Sequence, residues 1–313
     1  LRDEKSGTMN NTEKKMQEAA ARLLTGGSVD CIIGFENGSL PRTARPCFVR
    51  NAKDAERLVW NQWCVANLAA FVPKLFEKPQ KPRKDYKTPR VGIVAKGCDG
   101  RSIAGLVKEQ QVPRASITII GMPCNGMKTA PKGEKNNVAG ELARTCIECV
   151  SPAVMHADIA IEGESRKPAK AAYPRVREFE KKSVAERWRI FTEEISRCIR
   201  CNACREACPN CYCKVCFADQ RKPSWVSPAA QVSDTMAYHL GRMFHQAGRC
   251  VECDACVNAC PMGIDLRLFT QKLASDAREL FGCVPGVTGE DVPPLNAFKQ
   301  DDSESFMTDP EER

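Results

Sequence analysis

Two cysteine runs constrain this chain more than any other feature. Cys198-x2-Cys201-x2-Cys204-x3-Cys208-Pro209 recurs further on as Cys250-x2-Cys253-x2-Cys256-x3-Cys260-Pro261. Three thiolates separated by two residues each wrap one face of an iron–sulfur cubane. The fourth, ahead of a proline, points at a neighbouring cluster. The crossed assignment puts Cys198, Cys201, Cys204 and Cys260 on one [4Fe–4S] cluster, and Cys250, Cys253, Cys256 and Cys208 on another. Zinc and disulfides are the competing chemistries. Zinc pairs rarely come as a doubled run of four ending in Cys-Pro. Disulfides need an oxidising compartment, and no secretory signal is read in the chain.

The spacing is that of a bacterial-type dicluster ferredoxin, an α+β domain, expected over residues 166–283. The 313 residues suffice for about two domains at ~100–200 residues each. Hydrophobic residues at 42% and charged residues at 27% predict a buried core. Cysteines number 19 against 3 histidines, which argues against a His-rich zinc enzyme. No apolar run reaches the ~18 residues of a membrane span.

The formal charge is +8, yet the last thirty residues hold eight acids and two bases, so the excess sits upstream. Each cubane with four thiolates adds about −2 to the count, so bound clusters offset much of it and nucleic-acid binding is not expected. Residues 284–313 read as an acidic, extended tail, either disordered or laid along a partner.

Cys211, Cys213 and Cys216 are surplus to the arrays. They are either ligands of an additional cluster, with a distant partner such as Cys283, or inert buried thiols.

The N-terminal half reads as α/β, a small parallel sheet with flanking helices. Val91 to Gly97 is a buried strand, Cys98 opens a turn, Ile103 to Gln110 is a helix and Ser116 to Gly121 a second strand. Cys98 and Cys124 then fall just past the ends of neighbouring parallel strands, where open α/β sheets place ligands. A helix start beside Cys98 favours a thiolate. With Cys146-Ile-Glu-Cys149, these residues can hold a third cluster or a zinc ion, or be unrelated core cysteines.

Val29 to Phe35 is a further strand. Ala52 to Val72 is expected to be largely helical, with Trp60, Cys64, Leu68 and Phe71 on one face and Pro73 as its stop. Trp60 and Trp63 read as core, and Cys31, Cys47 and Cys64 as buried small hydrophobes. Glu77 to Arg90 is a basic, proline-containing loop. Residues 1–28 form an N-terminal region whose first 25 residues read as a solvated helix with Met16, Ala20 and Leu23 on one face. The second domain, 29–165, ends at a charged linker, Glu164 to Lys182. Ser183-x2-Glu186 is a capping box opening a helix that delivers the chain to Cys198.

These segments resemble the β subunits of coenzyme F420-reducing hydrogenases and F420-linked formate dehydrogenases. The residues that carry it are Val29-Asp-Cys-Ile-Ile-Gly-Phe, Gly97-Cys98-Asp-Gly, Gly121-Met-Pro-Cys124-Asn-Gly, Cys146-Ile-Glu-Cys149 and Ala157-Asp158-Ile159-Ala160. The Cys198 to Cys216 segment is similar to the ferredoxin portion of the formate dehydrogenase β subunits. The resemblance implies that Cys98, Cys124, Cys146 and Cys149 bind one [4Fe–4S] cluster. It also implies FAD exchanging a hydride with F420 or a nicotinamide. The chain departs from that pattern: only 21 residues separate Cys124 from Cys146, fewer than in the hydrogenase β subunits. No G-x-G-x-x-G loop replaces the flavin site. Lys128 and Lys132 are the candidates to meet a flavin phosphate.

The function expected is a single-electron relay through three clusters in an anaerobic, cytoplasmic complex. Its partners would be a catalytic formate dehydrogenase or hydrogenase subunit and a heterodisulfide-reductase-like subunit. The alternative is a flavin-containing oxidoreductase subunit. Arg197, Arg200, Arg205 and Arg249 flank the cysteines and are expected either to raise cluster potentials or to face solvent. No catalytic dyad or triad stands out. His156, His239 and His245 show no ligand partner, the last two on an amphipathic helix as surface or packing residues.

Overall fold

The computed structural model describes residues 11–78, 86–129, 140–170, 172–287 and 292–296. Helix α1 (Asn11–Thr25) precedes strands β1 (Cys31–Asn37) and β2 (Ala44–Val49). The short helix α2 (Val72–Leu75) leads to β3 (Val91–Ala95), α3 (Gly97–Lys108) and β4 (Ile117–Gly121). A small hairpin, β5 (Lys128–Thr129) and β6 (Glu141–Leu142), is followed by α4 (Arg144–Ile147) and β7 (Ile159–Ala160).

The main sheet has the order β2-β1-β3-β4-β7. Its pairings are parallel except for β2, which runs antiparallel to β1 at the edge. Parallel strands covered on both faces need continuous apolar runs. Val91–Ala95 is buried throughout, as are the first five residues of β1. Register pairs Val91 with Ile117 and Ala95 with Gly121, so β3 and β4 end level with each other. The mixed α/β reading with a mostly parallel sheet therefore holds.

Three expectations for this half change. Helix α1 is not simply solvated: Met16 and Ala20 are buried in the sheet's core, and Glu13 accepts a hydrogen bond from the Trp60 backbone (2.8 Å). The stretch from Ala52 to Val72 is not one helix but a 3-10 turn at Ala52–Arg57, irregular chain, and a second turn at Leu68–Phe71. Asn61 and Asn67 explain the break. Their side-chain oxygens accept from Trp63 N (2.9 Å) and Ala69 N (3.1 Å), local bonds that compete with helix continuation. Pro73 then sits in the first turn of α2 rather than ending a helix, a position where its missing N–H costs nothing. Trp60, Cys64 and Leu68 are nonetheless core residues, as are Cys31 and Cys47; Trp63 is half-buried. The basic loop lies partly outside the described residues.

The C-terminal half is helical. It comprises α5 (Pro174–Glu180), α6 (Val184–Ser196), α7 (Ala203–Glu206), α8 (Val232–His245), α9 (Ala255–Ala259) and α10 (Leu266–Phe281). No strand occurs among the described residues after Ala160, which corrects the α+β expectation for this region. The segments around the arrays carry helical rather than alternating periodicity: Leu266, Thr270, Ala274 and Ala277 bury one face of α10. Ser183 and Glu186 form the expected reciprocal cap of α6. Phe191 of α6 packs edge-on against Phe269 of α10, centroids 5.3 Å apart. The charged linker is partly ordered as α5, whose Arg177 pairs with Glu279 of α10 (2.6 Å).

The halves are joined by Arg267–Glu148 (2.6 Å) and Arg249–Glu109 (2.6 Å), and by Thr145 donating to the Glu252 carbonyl. The tail begins on the chain's own surface: the Pro285 carbonyl accepts from Arg101 Nε (2.8 Å), and Pro293 and Pro294 lie over Gly248. The rest of the acidic tail lies outside the described residues. Among the described residues no helix is long and apolar enough to cross a membrane.

Candidate metal centre

The two arrays fold as local copies. Arg200 and Asn202 in the first, and Glu252 and Asp254 in the second, adopt positive φ of 54°, 60°, 59° and 58°. These left-handed residues curl the chain so that successive cysteines face one point. Each costs roughly 1–2 kcal/mol in an L-residue. The Arg200 backbone N–H donates to Cys198 Sγ (3.4 Å), and Glu252 does the same to Cys250 Sγ (3.4 Å). Helices α7 and α9 begin at matching places after these turns.

Cys198, Cys201, Cys204 and Cys260 line one cavity, beside Tyr238, His239 and Met262. Cys204 and Cys260 are buried and Cys201 is exposed, so this cavity reaches the surface on one side. His239, expected at the surface or in packing without a ligand contact, is instead 1% exposed, with Nε2 3.3 Å from Cys198 Sγ. Burial, then Arg242 and Arg200, lowers its pKa to about 4, so the ring is neutral. His245 packs edge-on against Phe217, and His156 is exposed at φ 62°.

Cys250, Cys253 and Cys256 form the second group. Burial pushes all three thiols up, those of Cys253 and Cys256 to about 12, and nearby carboxylates and cysteines, Cys208 among them, add to the rise. Cys208 is raised first by its hydrogen bond with Cys211, then by burial. Such thiols stay protonated unless a cation replaces the proton, as thiolate metal ligands require.

Cys98, Cys124, Cys146 and Cys149 line a third cavity together with Lys96, Arg101 and Cys253. Cys98 lies within the first turn of α3, and Cys124 follows β4. Gly97 permits the fit, since a Cβ there would stand 2.0 Å from the Ser151 carbonyl oxygen. Met127 N–H donates to Cys146 Sγ (3.2 Å). The helix start does not make Cys98 a thiolate: burial raises its pKa well above the ordinary value, outweighing the nearby Lys96. Lys96 is itself neutralised by Asp99 (3.0 Å).

Cys211, Cys213 and Cys216 line a separate cavity of about 210 Å3 with Cys208 and Arg205. Cys283 does not reach it. Its Sγ is buried 3.8 Å from the Gly248 carbonyl, which removes it as a fourth ligand there. Lys128 is half-buried in β5, and Lys132 lies outside the described residues.

The flanking arginines are mostly neutralised. Arg197 pairs with Glu194, Arg205 with Asp219 (2.7 Å) and Arg249 with Glu109 (2.6 Å). Arg200 stacks over Tyr238, 4.7 Å from the ring centre. The cation that sequence reasoning missed is Arg242 of α8, 4% exposed and set among the cysteines. Arg242 precedes the second array on an amphipathic helix, and helical periodicity alone gives no sign that it is buried.

Comparison with known proteins agrees with this geometry. The family described as 4Fe-4S dicluster domain matches residues 197–265. A relative named F420-dependent formate dehydrogenase subunit beta, from Methanocaldococcus jannaschii, is 30% identical over 111 residues. That match covers 35% of this chain and 27% of the relative, so the chain spans about a quarter of the length of the curated protein it resembles. The matched family covers both cysteine arrays, and the chain is an iron–sulfur protein with a dicluster ferredoxin-type region suited to at least two [4Fe–4S] clusters.

Proposed function

We propose that this chain is the electron-relay subunit of an anaerobic oxidoreductase complex. It would carry single electrons through three [4Fe–4S] clusters between a catalytic formate dehydrogenase or hydrogenase subunit and a heterodisulfide-reductase-like subunit, in the cytoplasm. The ligand sets are Cys98, Cys124, Cys146 and Cys149; Cys250, Cys253, Cys256 and Cys208; and Cys198, Cys201, Cys204 and Cys260. The first belongs to an α/β domain, 29–165, and the others to a ferredoxin-type domain, 166–283. The observation that carries the reading is that Cys253 of the second set lines the same cavity as the four N-terminal cysteines. The N-terminal set thus continues the row begun by the dicluster region.

Bound clusters supply reversible one-electron storage. The chain's own residues hold them, keep water away and fix their spacing. Buried Cys204 and Cys260 shield one end of the row, while exposed Cys201, with Ile199 and Met262 also exposed nearby, leaves that end open to a partner.

The test is iron, acid-labile sulfide and flavin analysis of anaerobically purified protein. The relay requires about twelve irons and twelve sulfides per chain and no flavin. Stoichiometric FAD in the acid extract would move the assignment to the flavin-containing subunit.

A further inference from the structure

Buried arginines in this chain are of two kinds. Arg267, 3% exposed, meets Asp254 through Nη1 (2.7 Å) and Glu148 through Nη2 (2.6 Å). Arg242, 4% exposed, and Arg101, 3% exposed, pair with no carboxylate among the described residues. Arg242 Nη2 donates to the Cys204 carbonyl (2.9 Å). Arg101 donates to the carbonyls of Pro285 (2.8 Å) and Val251 (3.3 Å). Arg242 Nε and Nη1 and Arg101 Nη2 are buried and make no hydrogen bond among the described residues. A guanidinium does not shed its proton, and carbonyl dipoles do not cancel a full charge. A buried cation without a counter-charge is strongly unfavourable.

Their positions supply the missing anion. Arg242 donates to the backbone of Cys204 of one dicluster set and lines a cavity with Cys208 of the other. Arg101 lines the cavity shared by Cys98, Cys124, Cys146, Cys149 and Cys253. Each arginine therefore stands at a junction between consecutive cysteine sets. We infer that Arg101 and Arg242 are the counter-charges of the cluster row, one at each junction, and that they raise the reduction potentials of the clusters on either side. This rests on the relay reading above. A cubane with four thiolates is a dianion when oxidised and gains a further negative charge on reduction, so a fixed cation favours the reduced state.

The rival explanation for Arg242 is a local ion pair with Cys211. Cys211 lines the same cavity as Arg242.

The experiment uses the full chain, purified anaerobically, with midpoint potentials from electron paramagnetic resonance and with iron and sulfide measured in parallel. Variants are Arg242→Gln, Arg242→Lys, Arg101→Gln, Arg101→Lys and Cys211→Ser. Each glutamine variant is expected to keep its iron and to lower the reduced-to-oxidised ratio of its two neighbouring clusters about tenfold at fixed potential, or about 59 mV for one electron. Arg242→Gln acts on the two dicluster sets, Arg101→Gln on the N-terminal set and its neighbour. The lysine variants stay near the parent. Should a glutamine variant lose iron while the lysine variant keeps it, the charge requirement stands. Unchanged potentials at full iron content overturn the inference. So does equal loss of iron in the lysine and glutamine variants, which marks a requirement for shape. So does a Cys211→Ser variant that reproduces Arg242→Gln. A parent chain without acid-labile sulfide would instead remove the relay itself.

Discussion

His239 Nε2 stands 3.3 Å from Cys198 Sγ, inside a protein interior that leaves the imidazole 1% exposed. A neutral ring there can donate one hydrogen bond, and bonds to ligand sulfur stabilise the more negative, reduced cluster. His239→Phe is expected to retain iron and to lower the potential of the cluster assigned to Cys198, Cys201, Cys204 and Cys260. A bond of ~0.5–1.5 kcal/mol corresponds to roughly 20–60 mV. A redox titration that finds the same potential in both proteins would remove His239 from this role.

Asn202 occupies φ 60° between two ligands of the first array. Asn202→Val forces a β-branched residue into the left-handed region and should destabilise the cluster-loaded protein by about 1–2 kcal/mol. Asn202→Gly should be neutral or slightly stabilising. Thermal unfolding of the two variants under anaerobic conditions reads the difference.

Gly97 lies where any Cβ would stand 2.0 Å from the Ser151 carbonyl oxygen. Gly97→Ala must therefore push α3 from the segment that follows Cys149, at a cost of about 1–3 kcal/mol. The expected signature is the loss of about four irons per chain, with the dicluster set retained. Full iron content in the variant would contradict it.

Arg267 neutralises two carboxylates and joins α10 to Glu148, which stands between Cys146 and Cys149. Arg267→Met leaves Asp254 without its cation, while Glu148 keeps a hydrogen bond from Gln271 (2.8 Å), and removing one partner of a buried pair costs about 3–5 kcal/mol. Urea unfolding of the loaded protein should show this loss. An unchanged midpoint would mean that solvent already screens the carboxylates.

Removal of iron by a chelator should loosen the two halves unequally. Cys204 and Cys260 belong to the small core formed with Phe191, Ile195 and Phe269, whereas the sheet core rests on Ile32, Ile33, Ile93 and Ile120 without need of a ligand. Amide exchange should rise in α7 and α9 and stay slow in β1, β3 and β4. Uniform exchange across both halves would show that the clusters do not hold the helical part together.

Much of this was legible along the chain. The β3–α3–β4 unit followed from two apolar runs separated by a helical one, and the capping box marked the start of α6 within a residue. The helix expected across Ala52–Val72 was not, because the side chains of Asn61 and Asn67 take over backbone donors that periodicity assigns to a helix. The α+β expectation failed for a different reason. Ligand spacing describes only the short turns around each cysteine, and what fills the space between two arrays is set by the intervening residues, here α8 and α10.

The amino-acid order by itself determined which cysteines form each array, because a cubane edge spans only a few residues and its grip is a local matter of spacing. Tertiary structure alone decided that Cys253 borders the N-terminal set, that His239 meets Cys198, and that Arg101 and Arg242 are buried without a carboxylate partner among the described residues. Burial and charge pairing depend on partners brought from distant parts of the chain, and no local pattern records who those partners are.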